Sequence, residues 1–317
     1  MNISVEKAVN LIDSTLQLHK SDHLLPYFFI IGAGVSAPEI PLAGRIVELC
    51  KEEIQRRNSE YYAKCVEEMR QYESNAMKNY SGWIERAYPN GVDRSRFFKS
   101  IIAEAKISSA NLMLAHILYS KKIATTVFTT NFDDKLKQAL ELIGVTDLFV
   151  AENAMDNLVI NPQAEDIQVI HVHGTYNFYD CANLEEEIQL VANQSNTISS
   201  SRVLSTFLLS QAPIIVGYSG WENDVIMTRL KERLSYPTPL RYIWVCYSRE
   251  SYDTLPQWLK SSSSVDFVIP EINDMGCEDV IEGSQFVQRE SQTKRSKIDA
   301  SMFFSLLISS IKHSRNI

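Results

Sequence analysis

The chain has 317 residues, of which 45% are hydrophobic and 22% are charged, a composition that suits one large or two modest globular domains. The net charge of −8 does not favour direct nucleic-acid binding, and no apolar run approaches the roughly 18 residues that a membrane span requires. Five scattered cysteines without a C-x-x-C pair predict a reducing, cytoplasmic setting and no structural zinc ribbon.

Apolar runs and helical patterns alternate along the chain. Residues 4–20 have helical periodicity, residues 44–70 are rich in helix formers, and residues 71–109 predict a small inserted helical subdomain. Strands are predicted at 27–31, 123–128, 167–172, 213–216, 241–247 and 265–269, with helices at 111–120, 132–143, 202–209 and 225–234 between them. This alternation predicts an α/β fold with a mostly parallel sheet covered by helices on both faces.

The end of the chain changes in character. Residues 274–299 are polar and predict a loop, whereas residues 301–312 predict a closing amphipathic helix. We expect residues 1–317 to form one domain, and we expect it to be the N-terminal part of a longer protein.

A glycine turn follows the first long predicted strand. Residues 27–31 are aromatic or β-branched and uncharged, as in a strand buried on both faces. The run ends at Gly32-Ala33-Gly34, and Ser36 and a helix-forming segment follow. Strand, glycine turn and helix in this order can offer backbone N–H groups to a phosphate, and Gly34 would let the backbone approach an anion. An ordinary buried strand with a glycine turn gives the same pattern, so this stretch alone leaves both interpretations open.

Polar or glycine-rich residues follow four of the predicted strands. The carboxyl ends of parallel strands meet at one edge of the sheet, and ligands bind beyond that edge. We therefore expect four segments to converge on one crevice: GAGVS (32–36), TTNFD (129–133), HVHG (171–174) and GYSG (217–220), the last of which continues into WEND (221–224).

Each segment also has a purely structural interpretation. Asn131 could cap a helix that begins at residue 132. Ser219 with Glu222 fits a capping box. Asp133 could be an acidic residue in the first turn of a helix, and His173 could be a loop histidine with its hydrogen bonds satisfied.

Taken together and in this order, the four motifs resemble the Sir2 (sirtuin-like) family, and most closely the bacterial Sir2-like NAD-cleaving effector domains of antiphage systems. The resemblance covers residues 27–234. It implies a Rossmann-like fold that binds NAD⁺. Each motif alone is weak, but the ordered set of four is specific.

The resemblance also implies roles for individual residues. It assigns catalysis to Asn131 and His173, with His173 as the base and Asn131 beside the nicotinamide ribose. The remaining residues would bind NAD⁺ along its length, from the pyrophosphate to the nicotinamide ribose and the adenosine: Gly32, Ala33, Gly34, Ser36, Thr130, Asp133, Gly217 and Ser219.

The chain departs from the protein-deacetylating sirtuins in ways that affect the expected substrate. Those enzymes carry paired C-x-x-C zinc ligands, which are absent from this sequence, so no zinc is expected. They follow the glycine turn with Ile-Pro-Asp-Phe-Arg, whereas Ile40-Pro41 leads here into Leu42 and, further on, Arg45. These departures argue against an acyl-lysine cleft while leaving the predicted NAD⁺ pocket intact.

Three functions follow from the resemblance. The first is an NAD⁺ hydrolase that acts as a toxic effector in bacterial antiviral defence. As such it would form a homo-oligomer controlled by an NTPase or sensor region in the same longer chain or in a partner. The second is a non-catalytic sensor of NAD or ADP-ribose, and the third is a lysine deacylase. A pure binder has no evident need for a base at His173, which favours the hydrolase.

Overall fold

A computed structural model describes residues 1–152, 160–176, 200–222, 224–270 and 297–313. Its strands are β1 (Asn2–Ile3), β2 (Tyr27–Ile31), β3 (Thr126–Thr129), β4 (Leu148–Ala151), β5 (Ile167–His171), β6 (Ala212–Val216), β7 (Tyr242–Val245) and β8 (Val265–Val268). They form one eight-stranded sheet in the order β1-β8-β7-β6-β2-β3-β5-β4. Every pairing between these strands is parallel, so the predicted parallel α/β fold is confirmed.

Helices separate most of the strands in the described ranges. They are α1 (Val5–Leu18), α2 (Ala43–Arg57), α3 (Ser59–Met69), α4 (Ala76–Ala87), α5 (Gly91–Ile102), α6 (Ser109–Tyr119), α7 (Lys135–Leu142), α8 (Ser200–Ser210), α9 (Val225–Leu234), α10 (Arg249–Asp253), α11 (Gln257–Lys260) and α12 (Ala300–His313). None of these helices has the length and hydrophobicity needed to traverse a bilayer.

Two consecutive phenylalanines on β2 show how both faces of the sheet are covered. Successive side chains of a strand point to opposite faces. Phe28 packs edge-to-face with Phe207 of α8, whereas Phe29 packs edge-to-face with Phe304 of α12. Both phenylalanines are fully buried, and each such side chain contributes roughly 1.5–3 kcal/mol through removal from water. The uncharged run in the sequence therefore reflects a strand enclosed on both sides.

A second hydrophobic cluster lies apart from the core of the sheet. It is formed by Ile40, by buried residues of helices α2 to α5 and by Tyr176. Phe132, which is part of the TTNFD motif, and Trp221, which directly follows the GYSG motif, pack against it. Phe98 contacts Phe132 with ring centroids 5.7 Å apart, and Tyr80 contacts Trp221 at 5.4 Å. The helical segment is thus in direct contact with residues next to the predicted site.

The predicted strands agree with the observed ones, apart from small shifts of their ends. Two strands were missed, because β1 has only two residues and β4 is mostly half-buried, without the apolar run of a central strand. The helix predicted at 132–143 begins later, at Lys135. Residues 271–296, where most of the polar loop was predicted, lie outside the described residues. The proposed division into domains stays a prediction.

Candidate NAD-binding site

The four motifs follow four adjacent strands. The sheet order places β6, β2, β3 and β5 side by side. At their carboxyl ends, Ile31 pairs with both Val216 and Thr129, and Thr129 pairs with His171. Asn131 and His173 each lie two residues beyond the paired ends of neighbouring strands. The chain leaves β2 towards β3 while β6 lies on the other side of β2, and parallel sheets bind ligands at such a reversal of strand order.

The glycine loop after β2 packs against the loop after β6. The backbone N–H of Gly34 donates to the carbonyl oxygen of Gly217 at 2.9 Å. A Cβ on Gly32 would lie 2.6 Å from that same oxygen, and one on Gly34 would lie 2.8 Å from the Cα of Gly217. Gly217 itself has a φ of +67°. Glycines are required here because two backbones touch, so the space beside Gly34 that was expected for an anion is taken by protein.

The segment after the glycines differs from the predicted strand–turn–helix order. A three-residue 3₁₀ turn spans Ala33–Val35, and the next α-helix begins only at Ala43. Pro38 and Pro41 lie between them, and proline disfavours helix both at its own position and at the residue before it. The expectation of an α-helix directly behind the glycine turn was therefore wrong.

Most backbone donors of this loop are already used. The N–H groups of four loop residues donate to the carbonyl oxygens of Val216, Gly217, Gly32 and Ala33, and these donors are Gly32, Gly34, Val35 and Ser36. Ala33 is exposed at the tip of the turn. In this conformation the loop supports neighbouring side chains, and four of its N–H groups are not free to bind a phosphate.

Ser36 lies at the centre of a buried polar cluster. Its side chain is 2% exposed, and its hydroxyl accepts from Nδ2 of Asn131 and from Nδ2 of Asn111, both at 3.2 Å. The backbone N–H of Asn131 donates to Oγ1 of Thr129 at 3.0 Å, and its carbonyl oxygen accepts from Nδ1 of His171 at 2.9 Å. Every polar group of Asn131 named so far is satisfied by protein.

The amide oxygen of Asn131 is the exception. Oδ1 is buried and has no hydrogen-bond partner among the described residues. The alternative role as a helix cap does not hold, because α7 begins at Lys135 with Asp134 at its N-cap. A buried acceptor without a partner is uncommon and calls for an explanation, such as a bound water or ligand.

Asp133 is buried beside this cluster. Its Oδ1 accepts from the backbone N–H of Lys135 at 3.0 Å. Burial raises the pKa of the Asp133 carboxyl above its usual range, and the neighbouring Asp134 contributes in the same direction. The Lys135 N–H, the Ser36 hydroxyl and the charge of His171 partly oppose this rise. An ionised carboxylate at this position therefore carries a desolvation cost.

We predict that Asp133→Asn stabilises the ligand-free protein at neutral pH. Because the folded-state pKa of Asp133 is raised, the stability linked to this group is fully present below the unfolded pKa of about 3.9 and is lost as pH rises through the folded value. A neutral amide escapes that loss. We expect Tm at pH 7 to rise by about 2 °C or more, and the gain to disappear near pH 4.

The control is Asp147→Asn, which should act in the opposite direction. A hydrogen bond from Lys121 lowers the pKa of the Asp147 carboxyl, so its contribution is present above the unfolded pKa and is lost as pH falls. This variant should be slightly less stable at pH 7, because exposed ion pairs contribute little. A lower Tm for Asp133→Asn at pH 7 would contradict the prediction.

His173 lies after β5 and is held by an acidic residue from another loop. Its Nε2 is 2.7 Å from Oδ1 of Asp224, and both side chains are buried. Oδ2 of Asp224 accepts from the hydroxyl of Tyr218, and Oδ1 accepts from the backbone N–H of Val225 at 2.6 Å. Nδ1 of His173 is buried without a partner among the described residues. A satisfied loop histidine, the alternative considered for His173, is therefore not what is observed.

The remaining predicted residues lie at the rim of the same edge. Thr130 is half-buried, and its N–H donates to the carbonyl oxygen of Ile31 at 3.1 Å, which ties together the ends of β2 and β3. Ser219 is exposed after β6. The alternative interpretation of Ser219 and Glu222 as a capping box does not hold, because Asp224 is the N-cap of α9.

Three residues of this edge were not singled out from the sequence. Asp224 precedes an apolar helical run, which is a usual sign of an N-cap, but nothing local indicates its contact with His173. Asn111 and Ser108 lie at the start of α6, far along the chain from the residues they contact. The Ser108 hydroxyl donates to the carbonyl oxygen of Val35 at 2.6 Å, which anchors α6 to the glycine loop.

A comparison with known protein families finds a match over the part of the chain that contains three of the four motifs. Residues 125–265 match the family model described as a SIR2-like domain, and this span holds the Asn131, His173 and Gly217 motifs. The predicted resemblance to a Sir2-like family is thereby confirmed for this span, and it supports an NAD-related activity in general. The glycine loop lies outside the matched span and reaches the site through the sheet.

Among solved structures, one is titled "Structural Basis for the Mechanism and Regulation of Sir2 Enzymes". It covers 100% of both chains with 13% identity and a TM-score of 0.44, a likeness too low to support an argument about activity. No match was found among curated proteins. No group of three His, Cys, Asp or Glu residues able to hold a metal occurs in the described ranges, and the expectation of no zinc stays a prediction.

Proposed function

We propose that the protein is an NAD⁺ hydrolase that cleaves the nicotinamide–ribose bond to give nicotinamide and ADP-ribose. One observation carries the proposal. The two side chains assigned to catalysis, Asn131 and His173, each keep one buried polar atom with no partner among the described residues. Native proteins seldom leave such atoms unpaired without a functional reason. An acceptor at Asn131 and a nitrogen at His173, beyond neighbouring strand ends, fit a ribose hydroxyl and a water molecule.

The bond to be broken needs little acid catalysis. The nicotinamide ring is positively charged in NAD⁺ and leaves the ribose as a neutral molecule. Cleavage passes through an oxocarbenium-like state, as in other glycoside hydrolyses. Water supplies the new oxygen on the anomeric carbon, and His173 takes its proton and returns it to solvent. Asn131 fixes the ribose or the water through its amide oxygen. Positioning of this kind lowers a barrier by several kcal/mol.

The other predicted binding residues suit different tasks within the same proposal. Ala33 and Ser219 are exposed at the two loop tips and can contact the pyrophosphate and adenosine side. Gly32, Gly34 and Gly217 set the approach of the loops to each other. Ser36 accepts a hydrogen bond from Asn131 and orients it. Thr130 and Asp133 lie close to Asn131 at the same end of the sheet.

The first experiment is incubation of the purified protein with NAD⁺, with products separated by chromatography. We expect equal amounts of nicotinamide and ADP-ribose, or its cyclic form, without any acylated peptide. Thermal stabilisation by NAD⁺ without nicotinamide release would support the sensor instead. Nicotinamide release that requires an acyl-lysine peptide would support a deacylase. If NAD⁺ neither stabilises the protein nor is cleaved with release of nicotinamide, NAD⁺ as the ligand is overturned.

We also propose that this activity serves as a toxic effector in bacterial antiviral defence, by abortive infection. The four ordered motifs and the absence of C-x-x-C pairs in the sequence support that assignment. Such an enzyme needs a gate, in a homo-oligomer or through an NTPase or sensor region. The contacts of Tyr80 with Trp221 and of Phe98 with Phe132 make the helical segment a suitable route. Cells that express the intact protein should lose NAD⁺ when triggered, whereas cells with Asn131→Ala should not.

A further inference from the structure

We propose that Asp224 is a positioning residue that fixes His173 with its proton on Nε2, so that Nδ1 is the atom that acts as the base. This assignment rests on the proposed function for its catalytic meaning, but the state of the imidazole can be tested without it. No motif assigned a role to Asp224, and the reacting nitrogen of His173 was not specified by the sequence.

The direction of the hydrogen bond follows from the partner of Nε2. An ionised carboxylate can only accept, and Oδ1 of Asp224 lies 2.7 Å from Nε2 of His173. Nε2 must therefore carry a proton. In a neutral imidazole the other nitrogen is then a bare acceptor. Nδ1 is the nitrogen that is buried and unpartnered among the described residues, so the available lone pair and the missing partner coincide on one atom.

Asp224 is itself held in place by three donors. Besides His173, these are the hydroxyl of Tyr218 and the backbone N–H of Val225. Asp224 is also the N-cap of α9, where the helix dipole favours a negative charge. Burial raises the pKa of the Tyr218 hydroxyl, which keeps it protonated as a donor. The Tyr218 ring packs on Trp244 with centroids 5.8 Å apart, so the whole arrangement is anchored in the core of the sheet.

A purely capping role for Asp224 would not require the contact with His173. The two roles can be separated by substitution, because Ser caps helices well but is too short to reach the imidazole. Asn also caps, and its amide oxygen can still accept from Nε2–H and from Val225. The pair Asp224→Ser and Asp224→Asn therefore removes or keeps the acceptor while preserving the cap.

The decisive measurement is ¹H–¹⁵N NMR of the full chain with labelled histidine and without NAD⁺. His173 is assigned among the six histidines by the signals missing from His173→Gln. We expect a protonated Nε2 with a downfield, exchange-protected proton in the wild type and in Asp224→Asn. That proton signal should be lost in Asp224→Ser. The proposal would be overturned if the wild type carried the proton on Nδ1. It would also be overturned if the Nε2 proton signal persisted unchanged in Asp224→Ser.

Kinetics provide a second and separate readout. In Asp224→Ser we expect kcat for nicotinamide release to fall by roughly 10²-fold or more, with KM changed by less than about threefold, since an effect on the base alone appears in kcat. Asp224→Asn should retain more activity than Asp224→Ser. Asn75→Ser, an exchange at the N-cap of α4, should leave both the spectrum and kcat unchanged. If NAD⁺ is not cleaved at all but the spectra behave as expected, the proposed function fails while the positioning of His173 stands.

Discussion

Asn131→Ala is expected to lower the rate of NAD⁺ cleavage by roughly 10²- to 10³-fold, the usual effect of removing one preorganised polar contact in a catalytic site. The variant deletes the unpartnered Oδ1 and the donor to Ser36. Stability should change little. The substitution loses the hydrogen bond to Ser36, but it also removes a buried acceptor that had no partner and was therefore costly to bury. Nicotinamide release, measured over a range of NAD⁺ concentrations, checks the first expectation, and Tm checks the second.

Asn111→Ala is the matched control for this prediction. Asn111 donates to the same Ser36 oxygen at the same distance of 3.2 Å, and it is buried to a similar degree. If Asn131 acts only by orienting Ser36, the two variants should lose activity equally. If its free amide oxygen contacts the substrate, Asn111→Ala should lose less than about tenfold. Full activity in Asn131→Ala would contradict the assigned role.

Gly217→Ala is expected to cause the largest loss of stability among simple substitutions at this edge. A Cβ would lie 2.8 Å from the backbone N of Val35 and 2.9 Å from the carbonyl carbon of Gly34. The positive φ of +67° adds about 1–2 kcal/mol for an L-residue, and forced displacement of packed atoms adds typically 1–3 kcal/mol. For a chain of 317 residues, a total of about 2–5 kcal/mol corresponds to a Tm lower by roughly 3–8 °C.

Two other glycines separate the causes of that loss. Gly144 also has a positive φ, of +84°, but nothing lies within 4 Å of its Cβ position, so Gly144→Ala measures the backbone strain alone. Gly44 is in helix α2 with open space around it and no positive φ, so Gly44→Ala should stabilise by up to about 1 kcal/mol. From the highest Tm to the lowest, the expected order is Gly44→Ala, wild type, Gly144→Ala and Gly217→Ala. Equal losses at Gly144 and Gly217 would show that the contact between the loops contributes nothing.

The sequence by itself determined the fold class and the edge of the sheet at which the four motifs lie. Uncharged β-branched and aromatic runs specify buried parallel strands, as at Tyr27–Ile31 and in the strand that ends at Val216. Parallel strands bring their carboxyl ends to one edge, so the motifs containing Asn131 and His173 had to lie near one another. The two short outer strands were missed because an edge strand needs no continuous apolar run.

Only the tertiary structure decided what the individual side chains do at that edge. Gly34 and Gly217 must both be glycines because their backbones pack directly against each other. Asp224 contacts His173 although the two residues are 51 positions apart in the sequence, and no local pattern encodes this contact. Local rules suggested caps at Asn131 and Ser219, but the caps lie at Asp134 and Asp224. Propensity and periodicity act over a few neighbouring residues, whereas hydrogen bonds between loops depend on strand order, which is settled only when the whole sheet has formed.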